Sequence, residues 1–102
     1  MLLPTNYGDK TVAHNETIDL VAGTWVELTS TNVTHIRIQN KSRSPIEIMG
    51  TTGAAPSSFA GSITLLPFEI ISSDLELGSL FSGAVRLFAF CASAGQASVN
   101  HA

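Results

Sequence analysis

Between residues 36 and 102 the chain breaks into short runs in which apolar and polar residues alternate one for one, each run closed by Gly, Pro or Ser. A two-residue period puts every second side chain on one face of an extended strand, whereas an amphipathic helix needs an apolar recurrence near every 3.6 residues. Ile36 and Ile38 alternate with His35, Arg37 and Gln39, and Ile46 and Ile48 alternate with Glu47 and Met49. Both runs predict strands with one apolar and one wet face. The polar segment 40–44 between them reads as the loop of an antiparallel hairpin, with Lys41 and Arg43 solvated at its tip.

The rest of the chain follows the same pattern. Ile18 and Leu20 share one face, 21–23 makes a turn, and Val26 and Leu28 continue on a second strand with Trp25 and Glu27 pointing the other way. Residues 50–61 are small and aperiodic apart from Phe59, which reads either as a plug for the domain or as an anchor inserted into a neighbour. Ile63 and Leu65 resume the alternation, Pro67 interrupts it, and Phe68, Ile70 and Ile71 predict another short strand. Segment 72–81 is ambiguous between one helical turn, capped by Ser73 or Asp74 and ended by Gly78, and a strand at Leu75 and Leu77. Val85, Leu87, Ala89 and Cys91 then face one way and Arg86, Phe88 and Phe90 the other, so this strand is apolar on both sides and expected to be covered on both. A turn at 93–95 leads into Ala97, Val99 and His101, closing the chain with a last strand pair.

About eight short strands with turn signals every eight to twelve residues predict an all-β fold, an antiparallel β-sandwich or small jelly-roll-like barrel. The domain is expected over 16–102, preceded by an extended N-terminal arm, 1–15, with a short strand at 10–13.

Charged residues are 13% of the 102 residues and apolar residues 44%. A soluble domain of this size usually carries about 25% charge, so the exterior is expected to meet protein as well as water, and oligomerisation is the simplest way to cover it. Net charge is −3, which argues against a nucleic-acid partner, since phosphate binding needs a basic patch. No run reaches the roughly 18–20 apolar residues of a membrane span, so no membrane partner is expected. Met1, Leu2 and Leu3 run at once into Pro4, Asn6 and Asp9, neither a basic nor a sustained apolar start, so synthesis in a cytoplasm is expected.

His14, His35 and His101 match no metal-ligand spacing, the carboxylates are scattered, and no nucleophile elbow or phosphate loop occurs. No catalytic residue, metal or cofactor is therefore assigned, and the chain is not expected to be an enzyme. Cys91, the single cysteine, reads as a buried thiol packed as a small hydrophobe, with a bond between chains as the alternative. Candidate interface residues are Leu2, Leu3 and Tyr7 in the arm, Trp25, Phe59, Phe88 and Phe90. Trp25 reads either as packing or as a stacking platform for sugar, an open ring beside polar groups favouring the latter.

Residues 33–102 resemble small tailed-bacteriophage virion proteins. The resemblance lies in the strands around Ile36-Arg37-Ile38-Gln39-Asn40 and Ile46-Glu47-Ile48, the small-residue loop 50–61, the step Leu65-Leu66-Pro67-Phe68-Glu69, the Leu80-Phe81 corner, and the ending from Arg86-Leu87-Phe88-Ala89-Phe90 to Ser98-Val99-Asn100-His101-Ala102. It implies a capsid decoration (cement) protein or a related head or tail accessory protein. The implied partner is the major capsid protein, the implied assembly a homo-oligomer with a trimer favoured, and the implied location the capsid surface of a virion. A head-fibre, tail or baseplate protein that binds a host glycan or another tail protein is the alternative.

Overall fold

The structure, a computed structural model, describes residues 14–102. Eight strands and one helical turn follow in chain order: β1 (His14–Leu20), β2 (Thr24–Glu27), β3 (His35–Asn40), β4 (Ile46–Thr51), β5 (Ile63–Leu65), β6 (Ile70–Glu76), α1 (Leu77–Leu80), β7 (Arg86–Cys91) and β8 (Gly95–His101). The arm residues Leu2, Leu3 and Tyr7 and the expected strand at 10–13 lie outside the described residues. The first strand begins at His14, so the last two residues assigned to the arm belong to a sheet and pair with β8.

Two four-stranded antiparallel sheets face each other. Their orders are β1-β8-β3-β6 (sheet A) and β2-β7-β4-β5 (sheet B). Four pairings, β1 with β8, β2 with β7, β3 with β6 and β4 with β5, describe one long antiparallel ribbon whose tip is the β4–β5 connection. Rolling that ribbon up brings β8 against β3 and β7 against β4 and closes both sheets. Eight strands wound in this way are a jelly roll, which confirms the all-β sandwich expected from the alternation.

The winding corrects two local expectations. Strands β3 and β4 are not a hairpin: they lie in opposite sheets, and the segment between them arches from one sheet to the other. The same holds for β7 and β8, expected as a closing pair. Asn40, fully buried, makes the first arch. Its Nδ2 donates to the Ser44 carbonyl at 2.8 Å and the Leu65 carbonyl at 3.1 Å, while its Oδ1 accepts the Ser42 amide at 2.8 Å. Ser42 in turn donates to the Gln96 carbonyl and accepts the Gln96 amide, tying the arch to the start of β8. Lys41 and Arg43 are exposed, as solvated residues should be.

The ambiguous segment contains both alternatives in succession. The strand runs through Glu76, and a single helical turn follows, so Ser73 and Asp74 lie in β6, Glu76 is the N-cap without a side-chain cap bond, and Gly78 is inside the turn instead of ending it. Leu77 stays buried because its amide is held by the Thr34 carbonyl at 2.8 Å.

The core lies between the sheets. Sheet A contributes Leu20, Ile36, Ile38, Ala97 and Val99, sheet B contributes Ile46, Ile48, Leu65, Leu87, Ala89 and Cys91, and Leu28, Val33, Leu77 and Ala84 close the ends. Fully burying one such Leu, Ile or Val contributes roughly 1.5–3 kcal/mol. Each strand commits one face to this core, which fixes the opposite faces as the molecule's two broad outer surfaces.

Candidate interaction surface

On sheet B the outward side chains of three adjacent strands line up in rungs. Trp25 of β2 stands opposite Phe90 of β7, which stands opposite Glu47 of β4. One rung along, Glu27 is opposite Phe88 and Phe88 opposite Met49. The 50–61 loop turns back over this face and sets Phe59 on the first rung. Its ring meets Phe90 edge to face at 4.8 Å, and Trp25 lies 5.4 Å from Phe59 and 5.5 Å from Phe90. Each such pair contributes about 0.5–1.5 kcal/mol beyond its buried area.

Polar side chains pin the cluster from its margins. Glu47 accepts the Ser62 hydroxyl at 2.8 Å and the Thr64 hydroxyl at 2.7 Å, which anchors the end of the loop beside Phe90. Arg86 forms an ion pair with Glu27 at 2.8 Å and donates from Nε to Asn32 Oδ1 at 2.9 Å, bracketing Phe88. This pair is part-exposed, so its net contribution is about 0–1 kcal/mol and its main effect is positional.

Of the interface candidates, the structure thus brings Trp25, Phe59 and Phe90 together. Phe59 is both half exposed, at 50%, and seated on the domain's own sheet, while Trp25 is part-buried between its two aromatic neighbours. Phe88 is only 5% exposed and lies outside the central core, so it belongs to a small second core on the outside of sheet B and presents no free ring. Cys91 lies on the inner face with no exposure, its Sγ 3.8 Å from the Pro45 carbonyl. A bond from this thiol to another chain would require the sandwich to open.

A second apolar patch lay outside the candidate residues. Leu66, Phe68 and Ile70 are 58, 56 and 46% exposed at the turn between β5 and β6, where the edges of the two sheets meet. The Glu69 amide donates to the Leu66 carbonyl at 3.0 Å, with Pro67 and Phe68 as the central residues. Phe68 has φ +63°, a left-handed conformation that costs a bulky residue roughly 1–2 kcal/mol. Four bonds hold the turn in this form: Phe68 N–H to the Asn40 carbonyl, Gln39 Nε2 to the Phe68 carbonyl, Leu66 N–H to Glu69 Oε1, and Asn40 N–H to the Glu69 carbonyl. The sequence signal was Pro67, whose fixed φ suits the first central position of a tight turn; the aromatic residue at the second, left-handed position runs against the usual Gly or Asn and gave no signal.

Among the described residues no cluster of three or more His, Cys, Asp or Glu could hold a metal ion, and no helix is long and apolar enough to cross a membrane. No family model matches the chain, and neither the curated proteins nor the solved structures compared with it include a match. The fold and its surfaces therefore define the class: a jelly-roll β-sandwich with two apolar displays, one aromatic cluster on a sheet face and one strained turn at an edge.

Proposed function

We propose that the chain is a structural virion protein that decorates and stabilises a bacteriophage capsid, binding across major capsid protein subunits as a homo-oligomer, with a trimer expected. The observation that carries this reading is the exposed apolar step of Leu66, Phe68 and Ile70, held rigid by main-chain and side-chain hydrogen bonds. A backbone held in its presenting form loses less conformational freedom on binding, so more of the area buried by its side chains counts toward affinity. Symmetric copies on a shell would add avidity without further contacts, each stable contact needing about 1,000 Å² or more.

Two further considerations support it. Jelly rolls are used by many capsid and lectin domains, an analogy at the level of fold alone. The strand-and-turn resemblance to small phage virion proteins narrows that choice. Trp25 is packed against Phe59 and Phe90 instead of standing open, which favours packing over a sugar platform at that position.

The test is electron microscopy of virions from the phage that encodes the chain, joined to a binding assay on particles lacking it. Wild-type protein should appear in symmetric copies on the shell. The double variant Leu66→Ser/Phe68→Asn should bind such particles at least about tenfold more weakly, the loss of roughly 1.4 kcal/mol, with a melting temperature no lower than that of wild type, since Asn tolerates the left-handed conformation. Removal of residues 1–12 should weaken attachment while the domain stays folded. Virions without the chain, or attachment unaffected by the double variant, would overturn the reading.

A further inference from the structure

The outer face of sheet A has a chemistry unlike that of sheet B. On one rung Asn15 of β1, Asn100 of β8 and Arg37 of β3 stand side by side, and on the next Ser98, Gln39 and Ile70 do. Neighbouring strands lie about 4.8 Å apart, so these groups fall within the span of one small ligand. They surround a shallow depression of about 150 Å³.

Its origin is a bulge. Between the rungs Ile36–Leu75 and Ile38–Ile71, β3 has one residue, Arg37, where β6 has three, 72–74. Arg37 is therefore left without a rung partner on β6, and the surface dips between it and Ile70. Bulges recur beside binding and active sites because they re-aim side chains in this way.

Arg37 is exposed, is the one ionised side chain lining the depression, and has no ion-pair partner among the described residues. Among the described residues two acids share this face: Glu76, opposite His35 one outward position along β3 from Arg37, accepts the Ser79 hydroxyl at 3.4 Å, and Asp19, farther off beyond the Ser98 rung, accepts Gln96 Nε2 at 3.0 Å. Gln39 is oriented by donating Nε2 to the Phe68 carbonyl, which leaves its Oε1 facing outward as an acceptor. Asn15, Ser98 and Asn100 supply neutral donors and acceptors, and Ile70, 46% exposed, supplies an apolar wall.

From this arrangement we infer that the outer face of sheet A binds a carboxylated sugar, with the Arg37 guanidinium on the carboxylate, the amides and hydroxyl of Asn15, Asn100, Gln39 and Ser98 on ring hydroxyls, and Ile70 against the sugar's C–H face. A planar guanidinium matches a carboxylate in bidentate fashion. A phosphate ligand fits less well, because phosphate sites gather several cations or a nest of backbone amides, whereas here one cation stands among neutral groups. The depression is small beside the roughly 300–1,000 Å³ of drug-sized pockets, which sets its occupant at one sugar residue and its affinity in the millimolar range. The site shares Ile70 with the apolar step of the capsid reading, but its carboxylate contact rests on Arg37 alone, so its failure would leave that reading untouched.

The experiment is a titration of the full ¹⁵N-labelled chain, followed by amide shifts, with D-glucuronate and N-acetylneuraminate as probes and D-glucose and acetate as controls. At least one acidic sugar should give saturable shifts centred on Arg37, Ser98 and Asn100, binding about tenfold more tightly than glucose or acetate. Arg37→Gln should reduce that sugar to the level of glucose without changing the melting temperature. Silence with both acidic sugars, acetate binding as well as the sugars, or Arg37→Gln binding like wild type would each overturn the inference.

Discussion

The two outer faces of this sandwich obey the same strand geometry and carry opposite chemistry. On the central strands of sheet B the outward positions are Arg86, Phe88, Phe90, Glu47 and Met49, whereas on those of sheet A they are His35, Arg37, Gln39, Gln96, Ser98 and Asn100. The first face builds a small aromatic core outside the main one and folds a loop over it. The second is left bare, with amides and a guanidinium facing water. The difference shows that in a jelly roll the inward alternation sets the fold, while the outward alternation is free to set what each face meets.

The comparison breaks most easily at Phe88. If the outside of sheet B is a true second core, Phe88→Ala should lower stability by about 3–4 kcal/mol, in the range of other buried aromatic truncations. Asn100→Ala, the matching outward position on sheet A, should stay within about 0.5 kcal/mol. Urea denaturation of the pair reads both, and equal effects would erase the distinction between the faces.

Asn40 comes next, because the chain changes sheets there and so decides which strand supplies which face. Truncation to Ala removes three hydrogen bonds and leaves the Leu65 carbonyl and the Ser42 amide buried without their partner. A cost of about 2–3 kcal/mol is expected. Hydrogen exchange should show faster loss of protection at Lys41 and Ser42 than at Ile48; uniform loss would mean that the arch has no stability of its own.

Asn40 also marks what could be read in the chain and what could not. The inward residues were legible because Ile36, Ile38, Ile46 and Ile48 must face the core whichever way β3 and β4 connect. For that same reason the alternation could not tell a hairpin from an arch, and the polar segment 40–44 suits either. The overlooked signal was local: an Asn at the end of a strand with Ser two residues on, the pattern of a side chain bonding its own backbone. The aromatic cluster was half legible. Trp25, Phe59 and Phe90 were each singled out as outward or unpaired, but their meeting depends on the register of β2 with β7 and on the path of the loop, which no local pattern encodes. Phe68 was read as part of a strand because its neighbours suit one, and the left-handed turn won because Pro67 and four hydrogen bonds favour it. The polar site on sheet A was not legible at all, since it arises from a bulge that long-range pairing creates.

The face of sheet A depends on how β8 enters, and Gly95 controls that entry. A methyl group there would overlap the Ser42 hydroxyl, the group that both donates to and accepts from Gln96. Gly95→Ala should therefore cost about 2 kcal/mol by overpacking. The double variant Gly95→Ala/Ser42→Gly removes the clash along with the hydroxyl and should recover part of the loss. No recovery in thermal melts would place the strain elsewhere than at Ser42.

The smallest effect, and the sharpest about the role of sheet B, belongs to Phe59. Because half of its ring remains exposed, Phe59→Ala should lower stability by only about 1 kcal/mol, the value of one or two partial ring contacts. Its optical effect should be larger than its energetic one, since Trp25 loses the neighbour 5.4 Å away that shields it. The single tryptophan should shift its emission to the red and become more accessible to acrylamide, while far-ultraviolet dichroism stays unchanged. If quenching does not change, Phe59 does not cover Trp25, and the loop belongs with the surfaces that await a partner instead of with the second core. If quenching rises and self-association falls together, one ring serves both purposes. Its inner edge then completes the domain, and its outer face is the half left over for a neighbour.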